Sequence, residues 1–154
     1  MQMAKDDNLL HEKTDQMLQQ IRVVLPGTEA LLGFQFVVFF NKHFNKLPAG
    51  IKYIHLANLL LIVTANILLI SPVAFRQIKE AGRDTQSFLN FASKSVLGAM
   101  IFLLLGLSGD VYVAARLTVP EDADSVAAIT LGLGVLILGV IIWYFLPWWF
   151  RRKK

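Results

Sequence analysis

The sequence predicts an all-α integral membrane protein, an antiparallel bundle of four transmembrane helices preceded by an N-terminal amphipathic helix at the membrane interface. Of 154 residues, 55% are hydrophobic and only 17% are charged, and the mean hydropathy is +0.54. Soluble domains average about 25% charged residues, so this chain has too little charge to cover a surface in water. A helical span needs about 20 mostly apolar residues. Four stretches meet or approach that requirement.

The predicted spans are residues 28–44, 53–74, 95–115 and 125–149. The fourth is the clearest, because it carries no ionisable residue before Phe150. The first is short and carries Glu29 and Gln35. Short connections make successive spans antiparallel neighbours. We therefore expect one transmembrane domain over residues 28–150, between a cytoplasmic segment at 1–27 and a basic cytoplasmic tail at 151–154.

An amphipathic helix is predicted from about Asn8 to Leu25. Apolar side chains at spacings close to seven, four and three residues share one face of it, namely Leu10, Met17, Ile21 and Val24. We expect Pro26-Gly27 to separate this helix from the first span. The helix is then free to lie along the cytoplasmic surface. Packing under the bundle or against a partner is the alternative.

Positive charge predicts that both termini are cytoplasmic. With the N-terminus inside, the outer loops hold only four of the fifteen Lys and Arg residues, which are Lys42, Lys46, Lys52 and Arg116. The acidic residues Glu121, Asp122 and Asp124 then also fall outside. The fourth span ends in aromatic and basic residues that are typical of a membrane anchor rather than of a nucleic-acid site: Trp143, Trp148, Trp149, Arg151 and Arg152.

Small residues in the third and fourth spans permit close approach of helices. They are Gly98, Gly106, Gly109, Ala128, Gly132 and Gly139. Packing within one bundle and a subunit interface in an oligomer explain them equally well.

Ionisable side chains at membrane depth are costly and are therefore functional candidates. Glu29 lies in the first span, and its alternative role is a first-turn carboxylate behind an N-cap at Thr28. At 1.5 Å per residue, His55 lies about 10 Å from the middle of the second span, and Asp110 lies about 9 Å from the middle of the third, both toward the outer surface. They share a level and can pair if their faces meet. Their alternatives are a hydrogen-bonded packing residue for His55 and a solvated helix end for Asp110.

A polar seam extends this set. Asn58 and Asn66 are eight residues apart and lie nearly on one face of the second span, and Gln35 lies near the middle of the first. The seam is either a hydrated path for protons or small cations, or a set of interhelical hydrogen bonds worth about 0.6–2 kcal/mol each.

Several chemistries are excluded by the residues themselves. The chain has no cysteine, only one of its three histidines lies at membrane depth, and no cluster has metal-ligand spacing. No nucleotide-binding, zinc-hydrolase or serine-hydrolase motif occurs. We therefore expect no cofactor, no metal site and no enzymatic activity.

Residues 21–78 resemble an uncharacterised family of small bacterial four-span membrane proteins, a domain of unknown function. The first span matches the family pattern at Arg22, Gly27, Leu31, Leu32, Gly33 and Phe34. The second matches at Leu68, Leu69, Ile70, Pro72, Ala74 and Arg76, with Phe75 where members often have histidine. The resemblance implies a bacterial inner membrane, and such sequences are sometimes loosely labelled sodium–proton antiporters.

The leading functional hypothesis is translocation of protons or monovalent cations by a homo-oligomer in the lipid bilayer, since four helices enclose little room for a path. The route would pass Glu29, Gln35, His55, Asn58, Asn66 and Asp110. The second hypothesis is a non-catalytic accessory or scaffold subunit of a membrane complex.

Overall fold

The computed structural model describes residues 2–80, 85–118 and 126–152, with side chains from residue 8 onward. All secondary-structure elements within these residues are helices. They are α1 (Gln2–Val38), α2 (Lys42–Lys46), α3 (Ala49–Ile78), α4 (Gln86–Thr118), α5 (Val126–Val140), a π-helical turn (Ile141–Phe145) and α6 (Leu146–Arg152). Some positions used above lie outside the described residues: the acidic run at 121–124 predicted to be outside, the basic residues Arg83, Lys153 and Lys154, and the first residue of the predicted fourth span.

Four helical runs are long and apolar enough to cross a membrane: Asn8–Val38, Ala49–Ile78, Gln86–Thr118 and Val126–Arg152. The last contains α5, the π-helical turn and α6. Proline at position 147 has no N–H to give to a helical hydrogen bond, and the wide turn directly precedes it. The predicted class, an all-helical membrane protein with four spans, is confirmed.

Neighbouring long helices pack antiparallel, as contacts between them show. Along α4, Gly98 faces Leu68 of α3 and Gly106 faces Ile62, so the two helices run in opposite directions. In the same way Gly132 of α5 faces Ser108 of α4, whereas Gly139 faces Leu104. Helix α1 packs against both α3 and α4. The main core between them consists of Ile62, Ala65, Leu69, Ala99 and Leu103.

The expected break at Pro26-Gly27 is absent, because α1 continues through Pro26 to Val38. Within the apolar part of a membrane protein, side-chain hydroxyls and neighbouring helices can make a helical proline tolerable. Here the Thr28 hydroxyl lies 2.8 Å from the carbonyl of Leu25 and 2.7 Å from Oδ1 of Asn66 in α3, so its single hydrogen is shared between these two acceptors. Thr28 therefore lies inside a helix and is not an N-cap. The helix also ends six residues before the predicted limit at Phe44 and turns into α2.

The N-terminal half of α1 packs under the bundle instead of lying apart on a surface. Leu10, Met17 and Leu18 contact a small core formed by Phe88, Leu89 and Ala92 of α4. The buried side chains of α1 recur every seven residues, at Thr14, Ile21, Thr28 and Gln35. A seven-residue interval is close to two helical turns, so these residues form one straight stripe, the buried stripe of α1. The buried stripe brings the polar side chains of Thr28 and Gln35 into the bundle.

Candidate functional site

Four polar side chains from three helices meet between α1, α3 and α4. They are Gln35 of α1, His55 and Asn58 of α3, and Asp110 of α4. Gln35, His55 and Asn58 are buried, with exposed fractions of 3%, 2% and 4%, and Asp110 is half-buried. We call this set the polar cluster. Each member was a candidate from the sequence, and the structure brings these four together.

Gln35 is the central member. Its side-chain Nε2 donates a 2.6 Å hydrogen bond to Oδ2 of Asp110. Its backbone carbonyl lies 3.1 Å from Nε2 of His55. His55 and Asp110 thus share a level, as the sequence predicts, and both interact with Gln35. Asn58 lies one turn further along α3 and faces the same carboxylate.

Four buried atoms of the polar cluster have no hydrogen-bond partner within the described part of the chain: Gln35 Oε1, His55 Nδ1, Asn58 Nδ2 and Asp110 Oδ1. A carbonyl oxygen only accepts, so Nε2 of His55 carries the hydrogen that it shares with Gln35. In the neutral imidazole Nδ1 is then an acceptor. The cluster therefore holds three acceptors that make no hydrogen bond and one such donor, Asn58 Nδ2, which faces the Asp110 carboxylate, so the acceptors exceed the donors by two. Each such atom costs about 1–3 kcal/mol when it stays unsatisfied.

Aromatic rings hold His55 from the other side. The ring centroids of Phe39 and Phe44 lie 4.9 and 5.2 Å from the imidazole, in edge-to-face geometry. Phe44 belongs to the short helix α2 and is 4% exposed. Asn41 caps that helix by accepting a hydrogen bond from the backbone N–H of His43. The crowding of phenylalanines in the first span was visible in the sequence, but their contact with His55 depends on the turn after Val38.

Gly109 makes room for the cluster on α4. A Cβ built on Gly109 would overlap the side-chain amide of Asn58. The glycine therefore allows Asn58 to lie directly against α4 beside Asp110. This requirement explains one of the small residues that the sequence singled out, and it connects that residue to the site.

The remaining asparagine of the predicted seam lies in a separate pair. Thr28 Oγ1 lies 2.7 Å from Oδ1 of Asn66, and Nδ2 of Asn66 donates to the carbonyl of Ile62 within α3. Ile62 itself is fully buried between this pair and the polar cluster. The hydroxyls of Ser71 and Ser95, which the sequence did not single out, form a further hydrogen-bonded pair, with 3.2 Å between their Oγ atoms. Small hydroxyls give no apolar periodicity, so only the packing identifies them.

Glu29 is not part of the polar cluster, because the structure places its side chain on the exposed face of α1. The first-turn role that was its alternative does not fit either, since position 29 lies deep within α1. Its neighbour on that face, Gly33, has open space around the position of a Cβ.

The other predicted positions contact residues of the same chain. Gly98, Gly106, Gly132 and Gly139 each face a neighbouring helix, and Ala128 is 2% exposed. Trp143 packs against the main core. Trp148 and Trp149 are each 46% exposed. The guanidinium of Arg152 lies 3.7 Å from the ring centre of Trp148, and Arg151 is exposed.

The polar cluster presents hydrogen-bond acceptors from three helices to one another. Within the described residues no group of three or more His, Asp or Glu side chains is placed to hold a metal ion. The polar cluster offers one carboxylate, one imidazole and one amide oxygen as acceptors. Such a set can take up a proton or accept hydrogen bonds from a protonated ligand.

Comparison with known proteins identifies the family. No curated protein and no solved structure matches the chain significantly. The model of a family of unknown function, DUF6328, matches residues 6–147, which include the first three apolar helices in full and most of the fourth. This match agrees with the resemblance seen in the first two spans. The chain therefore belongs to the DUF6328 family of unknown function.

Proposed function

We propose that this membrane protein translocates protons or monovalent cations and that the polar cluster binds the cation on its way. The observation that carries the proposal is the excess of buried acceptors in the cluster. Oxygen and nitrogen atoms that lack a donor are stabilised by whatever brings a proton or a positive charge. Ionisable groups at membrane depth are rare and typically mark such pathways.

Asp110 is the working group in this proposal. Its Oδ2 is held by the amide of Gln35, while Oδ1 has no partner within the described part of the chain. A carboxylate with one fixed and one open oxygen can accept a proton and release it without leaving its place. His55 lies in the same group and offers Nδ1 as a second acceptor.

Self-association is part of the proposal, with Glu29 as its support. Between Arg22 and Lys42 the sequence has no charged residue except Glu29. The structure exposes this carboxylate on the outer face of α1, where lipid would otherwise surround it. A second copy packed on that face replaces lipid beside the carboxylate with protein, and Gly33 one turn later permits close approach.

We place both termini in the cytoplasm and the protein in the inner membrane of a bacterium. The support is the distribution of Lys and Arg, of which only four fall in the outer connections when the N-terminus is inside. The exposed basic end of α6 then meets the anionic inner leaflet.

The test is proton flux into proteoliposomes, followed with an enclosed pH-sensitive dye under an imposed gradient. We expect Asp110→Asn to lower the flux at least tenfold. The matched control is Asp15→Asn, which removes an exposed carboxylate near His11, outside the polar cluster. Wild-type flux equal to that of empty liposomes, for protons and for sodium and potassium, overturns the proposal and favours the accessory-subunit hypothesis.

A further inference from the structure

We infer that the polar cluster takes organic cations, namely protonated amines with a small apolar body, which enter sideways from the lipid. The inference rests on the proposed function and deepens it by naming the class of cation. A crevice between α1 and α4 reaches the polar cluster.

The crevice has a volume of about 170 Å³. Gln35, His55 and Asp110 form its inner end. The rest of the wall is apolar and comprises Leu31, Phe34, Val38, Val113, Ala114 and Leu117. An apolar cavity of about 150 Å³ accommodates a benzene-sized molecule. The volume therefore fits one small ring or a short alkyl chain beside the polar end.

The mouth of the crevice lies on the side of the bundle. Phe34, which is 70% exposed, and Ala114, which is also exposed, both line it. Both residues lie within helices that are apolar enough to span the membrane. A ligand that dissolves in the bilayer can therefore reach the crevice without crossing an aqueous vestibule.

The chemistry of the inner end selects a cationic hydrogen-bond donor. Oδ1 of Asp110 and Oε1 of Gln35 make no hydrogen bond within the described part of the chain, and the Asn58 amide that faces the carboxylate carries no charge. A primary ammonium group has three N–H donors and a full positive charge, so it satisfies both oxygens and neutralises the carboxylate. A bare alkali ion would supply the charge but would leave the apolar wall without a contact. An uncharged alcohol would fill the wall but would leave the carboxylate unpaired.

Benzylammonium is the probe that tests this inference. Its saturable binding to the purified, folded protein in lipid nanodiscs is measured by equilibrium dialysis, with empty nanodiscs as the blank. We expect benzyl alcohol, which has the ring without the charge, to bind at least tenfold more weakly. The same is expected of methylammonium, which has the charge without the ring.

Two variants locate the probe. Asp110→Asn removes the charge, and Ala114→Phe fills the mouth while leaving the carboxylate intact. We expect each to weaken benzylammonium binding at least tenfold, whereas Asp15→Asn leaves it unchanged. If Asp110→Asn fails to fold, Ala114→Phe alone decides the location. Unchanged binding in Ala114→Phe, or methylammonium binding as tightly as benzylammonium, overturns the inference.

The two proposals fail in different ways. Proton flux that depends on Asp110, together with no saturable benzylammonium binding, overturns this inference and leaves the proposed function standing. Saturable benzylammonium binding that Ala114→Phe abolishes, without any wild-type ion flux, overturns proton and alkali-ion translocation and supports the organic-cation site. Absence of both results overturns both proposals.

Discussion

The side-chain amide of Gln35 donates a 2.6 Å hydrogen bond to the carboxylate of Asp110, which lies 75 residues later in the chain. The same residue meets the imidazole of His55 through its backbone carbonyl. One uncharged residue of α1 therefore fixes the acidic group of α4 and the basic group of α3. Neither contact involves Glu29, the one acidic residue of the predicted first span.

Removal of the Gln35 side-chain amide is expected to destabilise the bundle. Gln35→Leu keeps the size of the side chain but leaves a carboxylate oxygen of Asp110 without its donor. An unpaired oxygen on a carboxylate costs more than the uncharged Oε1 of Gln35, whose own missing partner disappears with the substitution, so we expect a net loss of about 1 kcal/mol. The measurement is the midpoint of thermal unfolding of the purified protein in detergent. Gln86→Leu is the matched control, because Gln86 pairs with Asn90 on an exposed surface. An equal fall in the unfolding midpoint of the two variants would show that the Gln35–Asp110 contact stabilises the protein no more than an exposed hydrogen bond does.

A methyl group at position 109 is expected to disturb the polar cluster. In Gly109→Ala the new Cβ meets the side-chain amide of Asn58, which is buried and cannot move away without leaving Asp110. We expect lower thermal stability and lower proton flux. Gly134→Ala is the control, because a Cβ there meets open space. Alanine favours a helix over glycine by about 1 kcal/mol, so the control variant should be slightly more stable than wild type. Wild-type flux and stability in Gly109→Ala would contradict the assigned packing.

The Thr28–Asn66 pair is expected to act as a hydrogen bond between helices. A double-mutant cycle with Thr28→Val and Asn66→Leu isolates the energy of the pair from the effects of each substitution. Interhelical hydrogen bonds in membranes contribute about 0.6 kcal/mol on average and up to about 1.7 kcal/mol. The cycle is measured from unfolding in mixed detergent. Thr130→Val provides the comparison, because that hydroxyl bonds within its own helix at an exposed position. A coupling energy of zero would mean that the two residues stabilise the bundle independently.

The four helices were predictable because a span is a property of composition along the chain. Runs of apolar residues with charges at their ends predict a helix wherever lipid surrounds it. The course of α1 was not predictable in this way. Pro26 would usually end a helix in water, whereas here the helix continues through it, and Thr28, two residues later, contacts Asn66 of α3, almost forty residues further along the chain.

The composition of the polar cluster was partly predictable. Ionisable residues at depth and asparagines on one face are visible in the sequence, and four of those candidates do meet. The pairing of these candidates was not visible, because the buried side chains of α1 recur at seven-residue intervals and only one of them, Ile21, is apolar, the others being Thr14, Thr28 and Gln35. A search for apolar periodicity finds Leu10, Met17 and Ile21, which do pack inward, but it also picks the exposed Val24 and misses the polar members of the buried face. Glu29 is exposed because it lies beside the buried stripe of α1 and not on it.

Bulk on the outer face of α1 is expected to separate subunits without unfolding them. Gly33 lies one turn after Glu29, and a Cβ there meets open space within the described chain, so a single copy accommodates Gly33→Trp. In an assembly that buries Glu29, the same indole fills the space that the second copy needs. We expect the assembled fraction, measured by light scattering after size-exclusion chromatography and by cross-linking in proteoliposomes, to fall at least fivefold. Gly134→Trp, which adds the same indole at an open position on α5, should leave the assembly intact. A wild-type protein that is monomeric in both measurements, or a Gly33→Trp variant that assembles as wild type does, would mean that another surface or the lipid covers Glu29.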